Sequence, residues 1–214
     1  MRKPKISSRI YYILGAILFI TICSCVCNHI FLIKFSKIAL DNDIYGVIDA
    51  GVTKHKDNVV YHDHILAEEK TETHGDKLID FIDNRYSNYT IYYYNAGITG
   101  KITEQTIIEG LEWMKANGIK KVNISLSSKK YSQDLQNWII NNKDSITIYA
   151  SYSNEINTYD YPAMYEGVIG STGIETCSLK DYDMEYSTNY IVDVKNLRTY
   201  KGNSYLSLIS MFQN

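Results

Sequence analysis

The stretch YGVIDAGV, residues 45–52, runs through Val47 and Ile48 into a carboxylate, Asp49, and then a glycine, Gly51. A strand buried on both faces reads as a nearly continuous apolar run, which is how parallel sheets covered by helices present themselves. The stretch therefore predicts a central parallel strand with Asp49 at its carboxyl end. In open α/β sheets that end is where binding and catalytic groups gather. Outward from it, short β-rich runs recur at Ile44–Asp49, Ile91–Asn95, Val122–Leu126, Ile146–Ser151, Gly167–Ser171 and Tyr190–Val194.

Amphipathic stretches separate these runs, and their apolar spacing is helical. Thr103 is a candidate N-cap with Glu104 in the first turn; Ile107, Ile108, Leu111 and Met114 form one apolar face, and Gly118 supplies the stop. Leu135, Trp138 and Ile139 follow Ser132 in the same way. Another helix begins at or near His74, where Leu78, Phe81 and Ile82 recur. Strands alternating with helices predict an α/β fold of three layers, a parallel sheet flanked by helices.

The remaining composition narrows the function classes. With 45% hydrophobic and 21% charged residues, the 214-residue chain is globular, and its formal net charge of -2 with scattered Lys and Arg gives no footprint for nucleic acid. Residues 1–9 form a basic tail with Arg2, Lys3, Lys5 and Arg9, followed by 24 residues without a formal charge, Ile10–Ile33. A bilayer needs roughly 20 apolar residues, and no clean small-residue cleavage site follows, so 10–33 reads as an uncleaved transmembrane anchor. The excess of basic residues before it predicts a cytoplasmic N-terminus and an extracytoplasmic remainder. Residues 34–42 are then a linker, too short for a pro-domain, and 43–214 one domain. Cys23, Cys25 and Cys27 fall inside the apolar segment as lipid-facing helix residues or acylation sites; Cys177 stands alone in the rest, without an intramolecular disulfide partner. His55, His62 and His64 with Asp57 and Asp63 offer an H-x-H pair to zinc, but no third ligand follows at structural spacing, and a solvated loop accounts for them.

Four chemical groups make an acyl-transfer set: Asp49 in VIDAG, His74 in THGD, Asn154 in ASYSNE and Ser204 in KGNSYLS. A serine hydroxyl needs a base, and the base needs a carboxylate to fix its tautomer and stabilise its imidazolium. Ser204 follows Gly202 and Asn203 and opens a helical stretch, which leaves its backbone N–H as a helix-start donor for an oxyanion. Asn154 follows a strand and supplies a second donor. Each element alone is more often structural than catalytic.

Together with their surroundings these residues resemble the subtilisin-like serine peptidases, whose chain order is also Asp, His, Ser. VIDAGV, THGDKLIDFI, IIEGLEWMKANGIKKVNISLSS, YASYSNE, YPAMYEGVIGST, YSTNYIVDV and GNSYLS are similar, in order, to family segments over nearly all of Asp43–Ser210. The resemblance implies a serine endopeptidase acting on peptide or protein substrates without metal or organic cofactor. In it Ser204 is the nucleophile, His74 the base, Asp49 its orienter and Asn154 with the Ser204 N–H the oxyanion donors. It also implies that Ser125, Leu126 and Ser127 form the edge on which a peptide adds as a strand, with Asn95 and Gly97 on the opposite edge. Pro162 would hold the loop after the specificity pocket. The chain departs from the family at Asp76, expected to raise the pKa of His74 or redirect its hydrogen bond, and at Ile79-Asp80. It departs again at Tyr152, expected to reshape the pocket for the residue before the scissile bond, and at Leu208. The competing reading is an anchored peptide-binding module that has lost turnover.

Overall fold

Alternate residues of one strand supply the two cores of the molecule. In the strand Ile38–Asp49 (β2), Tyr45 and Val47 enter one hydrophobic cluster, Ile48 enters the other, and Gly46 admits the side chains of Met114 and Val122. This two-residue alternation is the geometry of a strand covered on both sides. The computed structural model describes residues 31–33, 37–62, 71–97, 101–156, 159–174, 179–193 and 197–214.

Around β2 stand β3 (Val59–Tyr61), β4 (Tyr86–Asn95), β5 (Lys121–Ile124), β6 (Thr147–Ser151), β7 (Val168–Thr172) and β8 (Met184–Glu185). They form a seven-stranded sheet in the order β3-β4-β2-β5-β6-β7-β8, and every pairing in it is parallel. A small second sheet joins β1 (Phe31–Ile33) in parallel to β9 (Tyr190–Asp193), which pairs antiparallel with β10 (Arg198–Lys201).

Helices α1 (His74–Arg85) and α4 (Asn203–Gln213) cover one face, where Leu78, Phe81 and Ile82 meet Leu206, Ile209 and Phe212 over Val47 and Tyr93. Helices α2 (Glu104–Ala116) and α3 (Gln133–Asn142) cover the other, where Ile107, Leu111 and Met114 meet Leu135 and Ile139 over Ile48 and Ile124. Helix α1 joins β3 to β4 and α2 joins β4 to β5, two steps that run the same way along the sheet. The helices nonetheless pack in different clusters, so the two crossovers are of opposite hand, although parallel crossovers are usually right-handed.

Thr73 and Asp76 form a reciprocal capping box at the start of α1, Thr103 and Thr106 do so at α2, and Ser132 accepts the Leu135 N–H at α3. Gly118, at φ +73°, ends the turn after α2 in a conformation glycine adopts without a Cβ penalty. The predicted α/β sheet and its helices are therefore present, with corrections at four places. Residues 38–42, expected as linker, extend β2: Ile38 and Ala39 pair with Tyr86 and Ser87, and a bulge follows before Asp43. Asn42 and Asn88 take left-handed φ values of 59° and 60° there, which asparagine tolerates better than most residues. Phe31–Ile33, expected as the end of the anchor, is the strand β1. The run from Tyr190 belongs to the second sheet, and β3, β8 and β10 lack the apolar length that marks a strand in sequence. Residues 1–30 lie outside the described residues, among which no helix is long and apolar enough to cross a membrane.

Gly75 sets how closely α1 approaches the sheet. A Cβ there would lie 2.6 Å from the Gly51 carbonyl oxygen and would also meet the Tyr93 hydroxyl, which donates to Ala50 O at 2.7 Å. Gly75→Ala is expected to lower unfolding stability by about 1–3 kcal/mol in a denaturant titration, the usual cost of overpacking.

Candidate active site

Asp49 closes β2 at the point where the sheet's progression reverses, with β4 on one side and β5 on the other. It is 1% exposed, and its two oxygens are used separately: Oδ1 accepts the Ala50 N–H at 2.7 Å, and Oδ2 lies 2.6 Å from Nδ1 of His74. A buried carboxylate is costly unless it is bonded in this way. Burial is the largest influence on its pKa and pushes it up, while the bonds to His74 and Ala50 oppose it.

The first residue of α1 is His74, whose side chain is 44% exposed. Its hydrogen bond to Asp49 raises its pKa above the ordinary 6.5; partial burial and the nearby charge of Lys77 act the other way. With Nδ1 held by Asp49, Nε2 is the nitrogen left for a proton transfer.

Asp76 does not compete for His74. Its Oδ1 accepts the N–H groups of Thr53 (2.9 Å) and Lys54 (3.1 Å); its Oδ2 accepts the Thr53 hydroxyl (2.6 Å) and the Thr73 N–H (3.0 Å). Burial would raise its pKa, but these bonds hold it below the ordinary carboxylate value. The expected perturbation of His74 is thus replaced by a structural role: Asp76 pins the loop after β2 to the start of α1. Asp80 extends the tie, within 3.4–3.6 Å of Lys54, Lys56 and Arg198.

Ser204 lies in the first turn of α4, 9% exposed, behind Gly202 at φ +133°. No side chain caps Gly202, and the Ser204 N–H makes no hydrogen bond among the described residues. Asn154 stands against this turn: its Oδ1 accepts the Asn203 N–H at 2.9 Å, and a Cβ on Gly202 would approach its side chain to 3.3 Å. With the oxygen so engaged, the Asn154 NH2 group is left as a donor beside the free Ser204 N–H. The first turn of α4 adjoins α1, since Tyr205 packs on Phe81 at 5.1 Å between ring centroids. Burial raises the Tyr205 pKa to about 12, helped by Tyr200, Glu72 and Asp49. Among the described residues no hydrogen bond joins Ser204 to His74, a bond that often tightens only when substrate is bound.

Asn203 was not singled out by sequence. It is fully buried, and its side chain donates to Ser153 O (2.8 Å) and reaches Thr172 Oγ1 (3.4 Å) while accepting the Gly173 N–H (3.0 Å). It therefore ties the serine turn to the ends of β6 and β7. An asparagine between Gly202 and a helix start was the available signal, because buried Asn is retained only where its amide is satisfied.

Of the expected substrate edge, Ser125 is 7% exposed, donates its N–H to Ile48 O at 3.2 Å and receives Asn123 Nδ2 on its hydroxyl. Leu126 and Ser127 make no backbone hydrogen bond among the described residues, so their edge is open. Leu126 and Ser127 line a cavity of about 230 Å³ with Ile107, Leu135, Tyr161 and Tyr165; Pro162, whose bond to Tyr161 is cis, borders it. Asn95 is instead a core residue, 4% exposed and paired with Asp49, with Oδ1 accepting the Gly97 N–H at 2.9 Å; residues 98–100 beyond Gly97 lie outside the described residues. Tyr152 is also in the core, 1% exposed against Gly170, because Asp183 at 2.6 Å satisfies its hydroxyl there. His55 packs on Tyr61, and His62 on Tyr94 and Trp113. His64 and Asp63 lie outside the described residues.

No protein-family model and no curated protein matches this chain. Solved structures do. A cold adapted subtilisin-like serine proteinase superposes with a TM-score of 0.57 at 16% identity, covering 81% of this chain and 74% of its own. The patellamide maturation protease PatA gives 0.56 at 13%, covering 80% and 76%. The psychrophilic subtilisin-like protease Apa1 from the Antarctic psychrotroph Pseudoalteromonas sp. AS-11 gives 0.52 at 15%, covering 71% of this chain, which spans 41% of Apa1. The chain has the subtilisin-like α/β fold.

The Asp49–His74 bond has a direct solution signature. NMR titration of the His74 ring is expected to give a pKa above 6.5 in the wild-type chain and a lower one in Asp49→Asn, where the anionic partner is gone.

Proposed function

We propose that the chain is a serine endopeptidase of the subtilisin-like kind. Ser204 attacks the scissile carbonyl, His74 takes the proton through Nε2 and returns it to the leaving amine, and Asp49 fixes the tautomer and stabilises the imidazolium. The observation that carries this reading is the unpaired N–H of Ser204 beside the Asn154 amide, whose oxygen is already bonded to the serine turn. Two fixed donors at one helix start suit a developing oxyanion, and they cost no reorganisation as the charge forms. The Asp49–His74 pair at 2.6 Å supports it.

Substrate binds as an extended peptide along the open backbone of Leu126 and Ser127, with an apolar side chain in the cavity bordered by Ile107 and Leu135. Main-chain pairing gives affinity for peptides in general, and the cavity supplies the selection. The proposed cellular setting is membrane-anchored and extracytoplasmic, supported by the basic tail and the uncharged run that begins at Ile10. Phe31–Ile33, at the end of that uncharged run, pairs as a strand with β9.

A fluorophosphonate probe is expected to label the wild-type chain and to fail on Ser204→Ala and His74→Ala. Absence of labelling on folded wild-type protein would instead support a peptide-binding module without turnover. Asn154→Ala is expected to reduce kcat on a peptide substrate about a hundred- to a thousand-fold with little change in KM, the cost of one oxyanion donor. Asn203→Ala should lower kcat in the same direction, because Asn203 holds the turn that carries Ser204.

The pH profile follows from the His74 shift. Only neutral imidazole accepts the serine proton, so kcat/KM should fall as pH drops through a pKa above 6.5. An acidic limb centred below 6.5 would contradict the Asp49–His74 pairing.

A further inference from the structure

A second cavity, of about 380 Å³, lies between α1 and β10 and shares no lining residue with the Leu126 cavity. Its charged lining consists of Lys77, Arg198, Lys201, Glu72 and Asp80, and Tyr205 forms its inner wall. It adjoins the reacting groups along the chain and in space. Lys77 is one helical turn beyond His74 and its charge acts on that ring, Lys201 precedes Ser204 by three residues, and Tyr205 follows Ser204 directly. With the Leu126 cavity assigned to the residues before the scissile bond, this cavity, next to Ser204 through Tyr205, is the candidate for those after it.

The charges of the cavity do not balance. Glu72 is bonded to Lys54 at 2.8 Å, and Asp80 is shared among Lys54, Lys56 and Arg198. Both carboxylates are thus already engaged with cations. Lys77 and Lys201 meet no carboxylate among the described residues; the Lys201 ammonium lies 4.9 Å from the centre of the Tyr190 ring, a contact that leaves its hydrogen-bond donors available.

We propose that this cavity receives a carboxylate on the leaving-group side of the peptide, held between the ammonium groups of Lys77 and Lys201, and so selects substrates acidic just after the scissile bond. The inference rests on the serine-peptidase reading for its direction, and it supplies what that reading lacks, a class of substrate. A carboxylate here has two sources, an Asp or Glu side chain or a peptide's free carboxy-terminus. Either would also be attracted before docking, an effect that salt weakens.

The full-chain Ser204→Ala variant allows binding to be read without turnover. Fluorescent peptides with an apolar residue for the Leu126 cavity would carry Glu, Gln or Lys in the two positions after the scissile bond, each as a carboxy-terminal amide. A fourth, with Gln, would end there as the free acid. The Glu peptide, the free acid or both should bind about ten-fold or more tightly than the amidated Gln peptide, and the Lys peptide more weakly still. Comparison of the Glu amide with the Gln free acid identifies which carboxylate is recognised. The preference should shrink at high salt and in Lys77→Gln/Lys201→Gln, with circular dichroism confirming that this exposed double variant stays folded. Equal binding of all four peptides would overturn the carboxylate site. Fluorophosphonate labelling of the wild type separates the two claims: labelling without a carboxylate preference removes only the cavity's role, and a preference without labelling removes the peptidase reading while keeping the site.

Discussion

Progression along the larger sheet reverses at β2, and the rest of the molecule is arranged around that reversal. The chain packs α1 with α4 on one face and α2 with α3 on the other. The carboxyl end of β2 is then the one place where elements from both halves of the topology approach each other. Asp49 occupies it. His74 arrives from α1, and the loop with Asn154 follows β6. Ser204 arrives on α4, the helix that fills the remaining half of the α1 face.

What the topology brings near, buried polar groups fix in place. Asp49, Asp76 and Asn203 are each at most 2% exposed, and each has its polar atoms committed to backbone or to a neighbouring side chain of the site. Their burial would be unfavourable without those bonds, so a shift of the β2 loop, of the start of α1 or of the serine turn would expose the cost at once. The Ser204 N–H, by contrast, makes no hydrogen bond among the described residues. In the proposed peptidase, substrate supplies that partner.

Much of this was legible in the sequence, for identifiable reasons. YGVIDAGV announced a buried parallel strand because no charged side chain interrupts it before Asp49, and Thr103, Ser132 and the apolar periodicity of α2 and α3 gave those helices and their caps. Asp49 and His74 were paired through the resemblance of their segments and order to the subtilisin-like peptidases. Less visible were features that depend on neighbours distant in sequence. Asp76 looked like a rival carboxylate, since nothing local says that Thr53 and Lys54 supply its donors. Tyr152 and Asn95 looked like pocket and edge residues, whereas Asp183 and the Asp49 pairing draw them into the core. Strand β3, three residues long, carries no pattern long enough to distinguish it from a loop. The extension of β2 through residues 38–42 was hidden because the polar residues Asp41 and Asn42 read as the end of a linker, and the bulge there, with Asn42 at φ 59°, depends on pairing with β4.

The central claim is that Ser204, His74 and Asn154 act on one reacting carbon. A crystal structure of the chain after reaction with a fluorophosphonate tests it most directly, because the phosphonyl group copies the tetrahedral intermediate. The account predicts phosphorus bonded to Ser204 Oγ, with one phosphonyl oxygen about 3 Å from both the Ser204 backbone nitrogen and Asn154 Nδ2, and with Nε2 of His74 facing the ester oxygen. Phosphorus on another residue, or a phosphonyl oxygen turned to solvent away from Asn154, would contradict it.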